Sequence, residues 1–311
     1  MDKTRDLMIN RFIIIYLCVL SGLFVANTAV STISDSLLSD TDINMAHEYY
    51  KKPYSRDPND FQVRNVGTNT YKIFRPNHGL AHAMRKSALA VDTLKVMKDV
   101  MGNNLGAWIR NNFKNPNFAE QLAFAMLMLR TGRSSESKDV NQYKEDCYKS
   151  AEIFAQEAAK SRWFPNPQDI ENFKFAMEMI GDISKCYNIE GAKYIYTQAR
   201  GCTPERLNIY NFLYAVHHLD LRRLFHFDRE RILSSIAAYL GFYDSDNKAN
   251  TKAPEVQKLW QRSGQYLKLT GDRDVDGTPP FNRDYQDIFF VLSSDPIELH
   301  KQVEALMKTP F

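Results

Sequence analysis

The segment RPNHGLAHAMR combines residue types that suit chemistry on an anionic substrate. It contains His78, His82 and Arg85. At about 100° per residue, His82 lies about 40° and Arg85 about 20° from His78 around the helix axis, so the three side chains fall on one stripe of a helix. An imidazole titrates near neutral pH, so it can accept a proton, donate one or attack phosphorus. Because a guanidinium follows on the same stripe, the pattern favours a phosphate-bearing ligand.

The residues around His78 predict a helix start. Asn77 is a suitable N-cap, and Pro76 disfavours a helical conformation before it. His78 would then lie in the first turn, beside unpaired backbone N–H groups and the positive end of the helix dipole, where phosphate binds readily. Gly79 has no side chain, so a ligand can approach the backbone closely. Taken alone, the same pattern is also typical of a capped helix with two partly exposed structural histidines.

A second candidate segment, HHLDLRR, lies in a strongly apolar helical stretch. At least one ring of His217 and His218 should therefore face the core or a cavity. Asp220 shares a helical face with His217, where it could orient a ring or bind a metal. Arg222 and Arg223 suit phosphate oxygens. The alternative is one buried structural histidine with the other at the rim of the core.

A third segment, RTGRSSES, follows the end of an apolar helix and contains Arg133 and Glu136. An arginine and a carboxylate beside a helix terminus are compatible with a site, and equally with a surface loop. All three segments lie at helix ends or on apolar helices, so the interior of a bundle could bring them together.

The elements that must position these residues are predicted to be helical. Hydrophobic spacing predicts an all-α helical bundle of about nine helices, with a short strand-like segment, FQVRNVGTNTYKIF, before the first core helix. Thr203 with Pro204, and Asp228, are predicted to start two of the helices. The polar stretch TGDRDVDGTPPFNRDYQD is predicted to be a long loop beside a site. Helices are predicted from Gly79 to about Val100 and in FAEQLAFAMLMLR, VNQYKEDCYKSAEIFAQEAAKSRWF, NPQDIENFKFAMEMIGDISK, EGAKYIYTQARG, TPERLNIYNFLYAVHHLDLRRLF, DRERILSSIAAYLGF, APEVQKLWQRSGQYLKL and DPIELHKQVEALMK.

The chain of 311 residues divides into three parts. Residues 1–31 are expected to be a signal peptide or an N-terminal anchor, because a basic start precedes the apolar run 12–26 and the small residues of AVS follow it. Residues 32–60 are interpreted as an irregular linker, and residues 61–311 as a single helical domain. A leader of this kind predicts a secreted or membrane-anchored protein, with membrane association through residues 12–26.

The cysteines and the net charge exclude some classes of protein. The net charge of +3 gives no basic footprint for nucleic acid. Cys18 lies in the apolar run, and Cys147, Cys186 and Cys202 form no close pair. The spacing therefore predicts free thiols, with neither a disulfide framework nor a zinc site.

Taken in order, RPNHGLAHAMR, TGRSSES with the following YKEDCYKSAEIFAQEA, and YAVHHLDLRR resemble the phosphodiesterase domain of the SidE family over roughly residues 60–300. This family comprises ubiquitin-modifying effectors that intracellular bacteria inject into host cells, and stand-alone relatives that reverse the modification. The resemblance implies an all-α fold and cleavage of the phosphodiester of ADP-ribosylated or phosphoribosyl-linked ubiquitin. It also implies two-histidine phosphoryl transfer without a cofactor or a metal.

The resemblance further implies roles for individual residues. His78 would be the nucleophile, or its direct partner, and would form a transient phosphohistidine. One of His217 and His218 would protonate the leaving group, and the shared face with Asp220 favours His217. Glu136 would orient His78 or act as a base. The expected phosphate-binding residues are Asn77, His82, Arg85, Arg133 and Arg223.

Two other functions remain open at this point. One is a metal-dependent phosphohydrolase similar to the HD class, with His78, His82, His217 or His218, and Asp220 as ligands. The chain contains no HD dipeptide, which disfavours this class. The other is a helical secreted binding module in which the histidines are structural.

Overall fold

The structure is a computed structural model of the chain. The residues that it describes are 38–51, 62–66, 69–73, 79–133, 140–190, 193–197, 201–223, 228–269 and 296–310.

Ten α-helices and two short antiparallel hairpins form these described residues, which confirms the all-α prediction. The predicted strand segment is one hairpin, with Val63 opposite Lys72. The helices are α1 (Asp40–Lys51), α2 (Leu80–Met97), α3 (Asn104–Asn112), α4 (Phe118–Met128), α5 (Val140–Ala158), α6 (Pro167–Gly181), α7 (Pro204–Asp220), α8 (Arg229–Leu240), α9 (Pro254–Leu269) and α10 (Pro296–Lys308), and the strands are β1 (Gln62–Val66), β2 (Asn69–Ile73), β3 (Tyr187–Glu190) and β4 (Lys193–Tyr196).

Helix α2 is the central helix of the bundle. It packs against α4, α7, α9 and α10. Every residue from Ala81 to Leu94 is buried, so no face of this stretch is exposed to solvent. A helix surrounded by protein is normally apolar all round, yet α2 buries His82, Arg85 and Asp92. Because buried charges need partners, the neighbouring helices must supply them.

Capping residues start several helices where the sequence predicts. The Thr203 side chain accepts a hydrogen bond from the backbone N–H of Arg206 at the start of α7. Asp228 accepts from the N–H of Glu230 at the start of α8. Helix α2 differs, because Gly79 occupies its N-cap position and no side chain caps it. The predicted cap at Asn77 is therefore not the cap of the helix as described.

The interpretation of residues 32–60 as an irregular linker is wrong for residues 40–51, which form α1. Ser39 and Asp42 cap this helix reciprocally: Asp42 accepts from the backbone N–H of Ser39, and Ser39 Oγ accepts from that of Asp42. Ile43, Ala46 and Tyr50 are buried, at a spacing that fits one helical face. Short polar residues around these positions conceal the periodicity.

The prediction of a helix in EGAKYIYTQARG is also wrong. Residues 193–196 form β4, which pairs with β3 so that Tyr187 lies opposite Tyr196. Alternating Tyr and Ile residues favour a strand, and the rings of Tyr187 and Tyr196 are in contact, with centroids 5.9 Å apart. Pairing with β3 and the contact between these two rings outweigh the helical propensity of Glu190 and Ala192.

The prediction of free thiols is wrong for two of the three cysteines beyond the apolar run. Cys186 and Cys202 form a disulfide, with Cα atoms 5.4 Å apart. The β3–β4 hairpin reverses the chain, so that the N–H of Thr197 donates to the carbonyl of Cys186. This return brings the start of α7 beside Cys186, which linear spacing does not reveal. Cys147 remains a free, buried thiol.

Several predictions fall on other parts of the chain. The leader, residues 1–31, with its apolar run, lies outside the described residues, and so does the polar loop 270–287. None of the helices in the described part of the chain combines the length and hydrophobicity that a membrane span requires.

Candidate active site

A buried carboxylate joins α2 to α7. Asp220, at the end of α7, accepts hydrogen bonds from Arg85 through Nε to Oδ1 at 2.7 Å and through Nη2 to Oδ2 at 3.2 Å. Its Oδ2 also contacts Nδ1 of His82. All three side chains are fully or almost fully buried. Two side chains that the sequence places on one stripe of α2 therefore share one carboxylate of the second histidine segment.

His217 packs against this group. Its ring lies edge-on to that of His82, with ring centroids 5.7 Å apart and an angle of 64° between the planes. His217 is buried, one helical turn before Asp220 on the same face of α7. The first and second histidine segments therefore meet at His82, Arg85, His217 and Asp220, which we call the histidine cluster.

His218 lies in a different environment. Its Nδ1 is 2.8 Å from the carbonyl oxygen of Tyr214 on the same helix. A carbonyl only accepts, so this nitrogen carries a proton. Burial lowers the pKa of His218, and the bond to Tyr214 only partly opposes this. His218 is therefore a neutral imidazole, with its ring between those of Tyr214 and Tyr239.

Arg222 is held by α9. Its Nη1 donates to the carbonyl of Trp260 at 2.6 Å, and its guanidinium lies 4.6 Å from the centre of the Trp260 indole. A Cβ atom at Gly264 would come within 2.9 Å of the Arg222 guanidinium carbon, so this glycine allows the close contact. Arg222 thus connects the end of the second histidine segment to α9.

The chain that leads to the glutamate segment adjoins α7. Arg130, just after α4, donates to the hydroxyl of Tyr143 on α5 at 2.9 Å. Helix α4, which ends just before Arg130, packs against α7. Burial raises the pKa of Tyr214 on α7, the phenol of Tyr143 raises it further, and the charge of Arg130 lowers it. Arg133 is half-buried three residues later. The third segment therefore begins beside the helix that carries the histidine pair.

The predicted site residues separate into three groups. The structure brings together His82, Arg85, His217 and Asp220, with His218 alongside on the same helix. Asn77, His78 and Glu136 lie outside the described residues, and the side chain of Arg223 is likewise not described. The residues beside the site that the sequence did not single out are Arg130, Tyr143, Tyr214 and Tyr239. The spacing of Tyr210, Tyr214 and His218 along α7 was the available signal, because residues four apart on a helix are neighbours.

The surroundings of Asp220 bear on the metal-site alternative. Among the described residues, no group of three or more His, Cys, Asp and Glu side chains is placed to hold a metal ion. Both oxygens of Asp220 accept from Arg85. A guanidinium beside this carboxylate would repel a divalent cation at the same position.

Comparison with known families identifies the family of this chain. The sequence profile of the SidE phosphodiesterase (PDE) domain matches residues 48–275, which is well over half of the chain. This range includes α2, α7 and the whole histidine cluster. No curated protein matches the chain. The chain therefore belongs to the SidE phosphodiesterase domain family and is a phosphodiesterase.

Proposed function

We propose that this phosphodiesterase cleaves the phosphodiester of an ADP-ribosyl or phosphoribosyl conjugate, with ubiquitin as the protein that carries it. The observation that supports this most strongly is the histidine cluster, in which two buried imidazoles pack edge to face beside an arginine–aspartate pair. Imidazoles transfer protons near neutral pH. The resemblance to the SidE family supplies the substrate class.

The proposed reaction has two steps, and neither requires a metal. In the first, a nitrogen of His78 bonds to phosphorus while the bond from phosphorus to the leaving oxygen breaks, and that oxygen takes a proton from His217. In the second, water attacks the phosphohistidine, the P–N bond breaks and His217 takes the proton of the water. For an ADP-ribosyl group the leaving group is AMP. Glu136 orients His78 or acts as its base.

His217, rather than His218, is the proposed proton donor. His217 packs on His82 within the histidine cluster. His218 is held by the Tyr214 carbonyl, and its pKa is lowered by burial. A neutral imidazole whose Nδ1 proton is bound to its own helix is a poor acid. The sequence favoured His217 because it shares a face with Asp220, whereas the geometry favours it through the contact with His82.

The proposed binding of the phosphate uses positive charge from several segments. Arg133 and Arg223 supply guanidinium groups, and Asn77 lies in the segment that leads into α2. His82 and Arg85 also bind the phosphate in this proposal. Asp220, which contacts both side chains, compensates one of their positive charges. Such preorganised charge stabilises the transition state of phosphoryl transfer more than it stabilises the substrate.

We also propose that the protein acts outside the cytosol of the cell that makes it, as an enzyme that is secreted, anchored at the membrane or delivered to a host cell. The disulfide between Cys186 and Cys202 supports this setting, because disulfides persist mainly in oxidising compartments. Fractionation of the tagged full chain tests the proposal. Recovery with cytosolic markers alone would contradict it.

The substrate proposal is tested with purified full chain and three substrates: ADP-ribosylated ubiquitin, ubiquitin bridged to serine through phosphoribose, and free ADP-ribose. We expect AMP from the first, release of phosphoribosylated ubiquitin from the second, and slower turnover of free ADP-ribose. His78→Ala should abolish turnover of all three. No turnover of any substrate, or turnover unchanged in His78→Ala, would refute the proposed function.

A further inference from the structure

We propose that Asp220 is a positioning residue for the reaction, acting through His82. By accepting a hydrogen bond from Nδ1–H, Asp220 holds the His82 imidazole in one tautomer and one orientation, so that Nε2 is the nitrogen that acts on the substrate phosphate. This inference rests on the proposed function for its catalytic consequence. The tautomer itself is independent of the substrate.

The donors and acceptors around Asp220 determine the tautomer. An ionised carboxylate accepts hydrogen bonds and donates none. Arg85 donates to both oxygens of Asp220, and a guanidinium is always protonated. The contact between Asp220 Oδ2 and His82 Nδ1 therefore needs a proton on the nitrogen. Nε2 is then left as the nitrogen that can accept a proton or, in the imidazolium, donate one.

Arg85 makes the carboxylate a fixed support. Asp220 is fully buried, and a buried carboxylate remains charged only when a cation and hydrogen bonds compensate it. The two bonds from Arg85 restrain both oxygens, so the carboxylate cannot rotate freely. The rings of His82 and His217 pack edge to face. The ring orientation is thus restrained by Asp220 and by His217.

The charges of these three groups suit an anionic substrate. When His82 is neutral, the charges of Asp220 and Arg85 cancel. When His82 is protonated, the three side chains together carry one positive charge. A phosphodiester anion beside His82 favours the protonated form, because opposite charges attract strongly in a buried environment. Asp220 therefore lets His82 gain a proton as the substrate binds, without leaving two uncompensated cations in the core.

A second buried carboxylate offers a matched control. Asp92, also on α2, accepts from Arg262 Nε at 3.0 Å and from the hydroxyl of Tyr266 at 2.7 Å. It is fully buried, like Asp220. At about 1.5 Å per residue, it lies roughly 15 Å from His82 along the axis of α2. Asp92→Asn therefore disturbs a carboxylate–guanidinium pair in the same helix but away from the histidines.

The kinetic test compares Asp220→Asn with Asp92→Asn in the full chain, using AMP release from ADP-ribosylated ubiquitin. We expect Asp220→Asn to lower kcat by about 10–100-fold, the loss typical when the hydrogen-bond partner of a metal-bound histidine is removed. KM should change little, and the pH profile of kcat should shift. In Asp92→Asn, kcat calculated per folded molecule and the pH profile of kcat should both be unchanged. Equal losses of activity in the two variants would overturn the inference.

Nuclear magnetic resonance of the unmutated chain, labelled with ¹⁵N-histidine, tests the tautomer even if Asp220→Asn does not fold. The His82 signals are identified by their loss in His82→Gln. We expect a strongly downfield proton on Nδ1 of His82 in the resting enzyme. A His82 ring with its only proton on Nε2 would overturn the inference. If the unmutated chain releases no AMP while Nδ1 carries the proton, the proposed function fails and the tautomer assignment stands.

Discussion

Reduction of the Cys186–Cys202 disulfide should destabilise the protein by an amount that follows from the loop it closes. The two cysteines are separated by 16 positions in the sequence. Closure of a loop of this length removes chain entropy from the unfolded state equivalent to about 3 kcal/mol at 25 °C. For a domain of this size, such a loss lowers Tm by about 6–12 °C. Both cysteines are buried, so the bond also holds the β3–β4 hairpin against the start of α7.

The assay is thermal unfolding of the purified chain with and without a thiol reductant. We expect the reductant to lower Tm in the unmodified chain and in Cys147→Ser, since Cys147 is a free thiol outside the bond. The double variant Cys186→Ala/Cys202→Ala should start at the lower Tm and show no response. A Tm unaffected by reductant, with equal numbers of thiols titrated in the denatured chain before and after reduction, would refute the reasoning.

Three further predictions concern stability. Burial lowers the pKa of His218, so as the pH falls the unfolded chain binds a proton at this residue before the folded chain does. The free energy of unfolding should therefore fall as the pH drops below about 6.5, and it should fall less in His218→Asn. Urea unfolding at pH 7.5 and at pH 5 measures both. Asp92→Asn leaves the buried Arg262 guanidinium without its counterion and should cost about 3 kcal/mol; a loss below about 1 kcal/mol in urea unfolding would contradict this. Ser39→Ala removes half of the reciprocal cap of α1 and should cost about 1 kcal/mol, whereas an unchanged midpoint would show that the cap is not formed.

The sequence predicts well those parts of the fold that depend on neighbouring residues. The Thr203 and Asp228 caps act within one turn of their helices, so residue type and position are sufficient to predict them. The hairpin of β1 and β2 is also local. By contrast, EGAKYIYTQARG has mixed preferences, and contacts with β3 decide its conformation. Tertiary context outweighs propensity in such short segments.

In the candidate site, too, the sequence predicts the relations between neighbouring residues but not the contacts between distant segments. Helical spacing correctly places His82 with Arg85, and His217 with Asp220, on shared faces. Spacing along one helix says nothing about which residue of another helix lies opposite. The sequence therefore suggested that Asp220 orients a ring within its own segment, whereas in the fold it contacts His82 on α2. The Cys186–Cys202 pairing was missed for the same reason, because it depends on how the chain returns.

The most direct test of the central claim is AMP release from ADP-ribosylated ubiquitin by the full chain and its His217→Asn variant. The control is His300→Asn, which alters another buried histidine that lies near carboxylates, on α10. We expect AMP from the unmodified chain, a loss of at least about 100-fold in His217→Asn, as for removal of a general acid, and full activity in His300→Asn. No AMP from the unmodified chain, or equal AMP from His217→Asn, would contradict the claim that the histidine cluster performs phosphodiester cleavage.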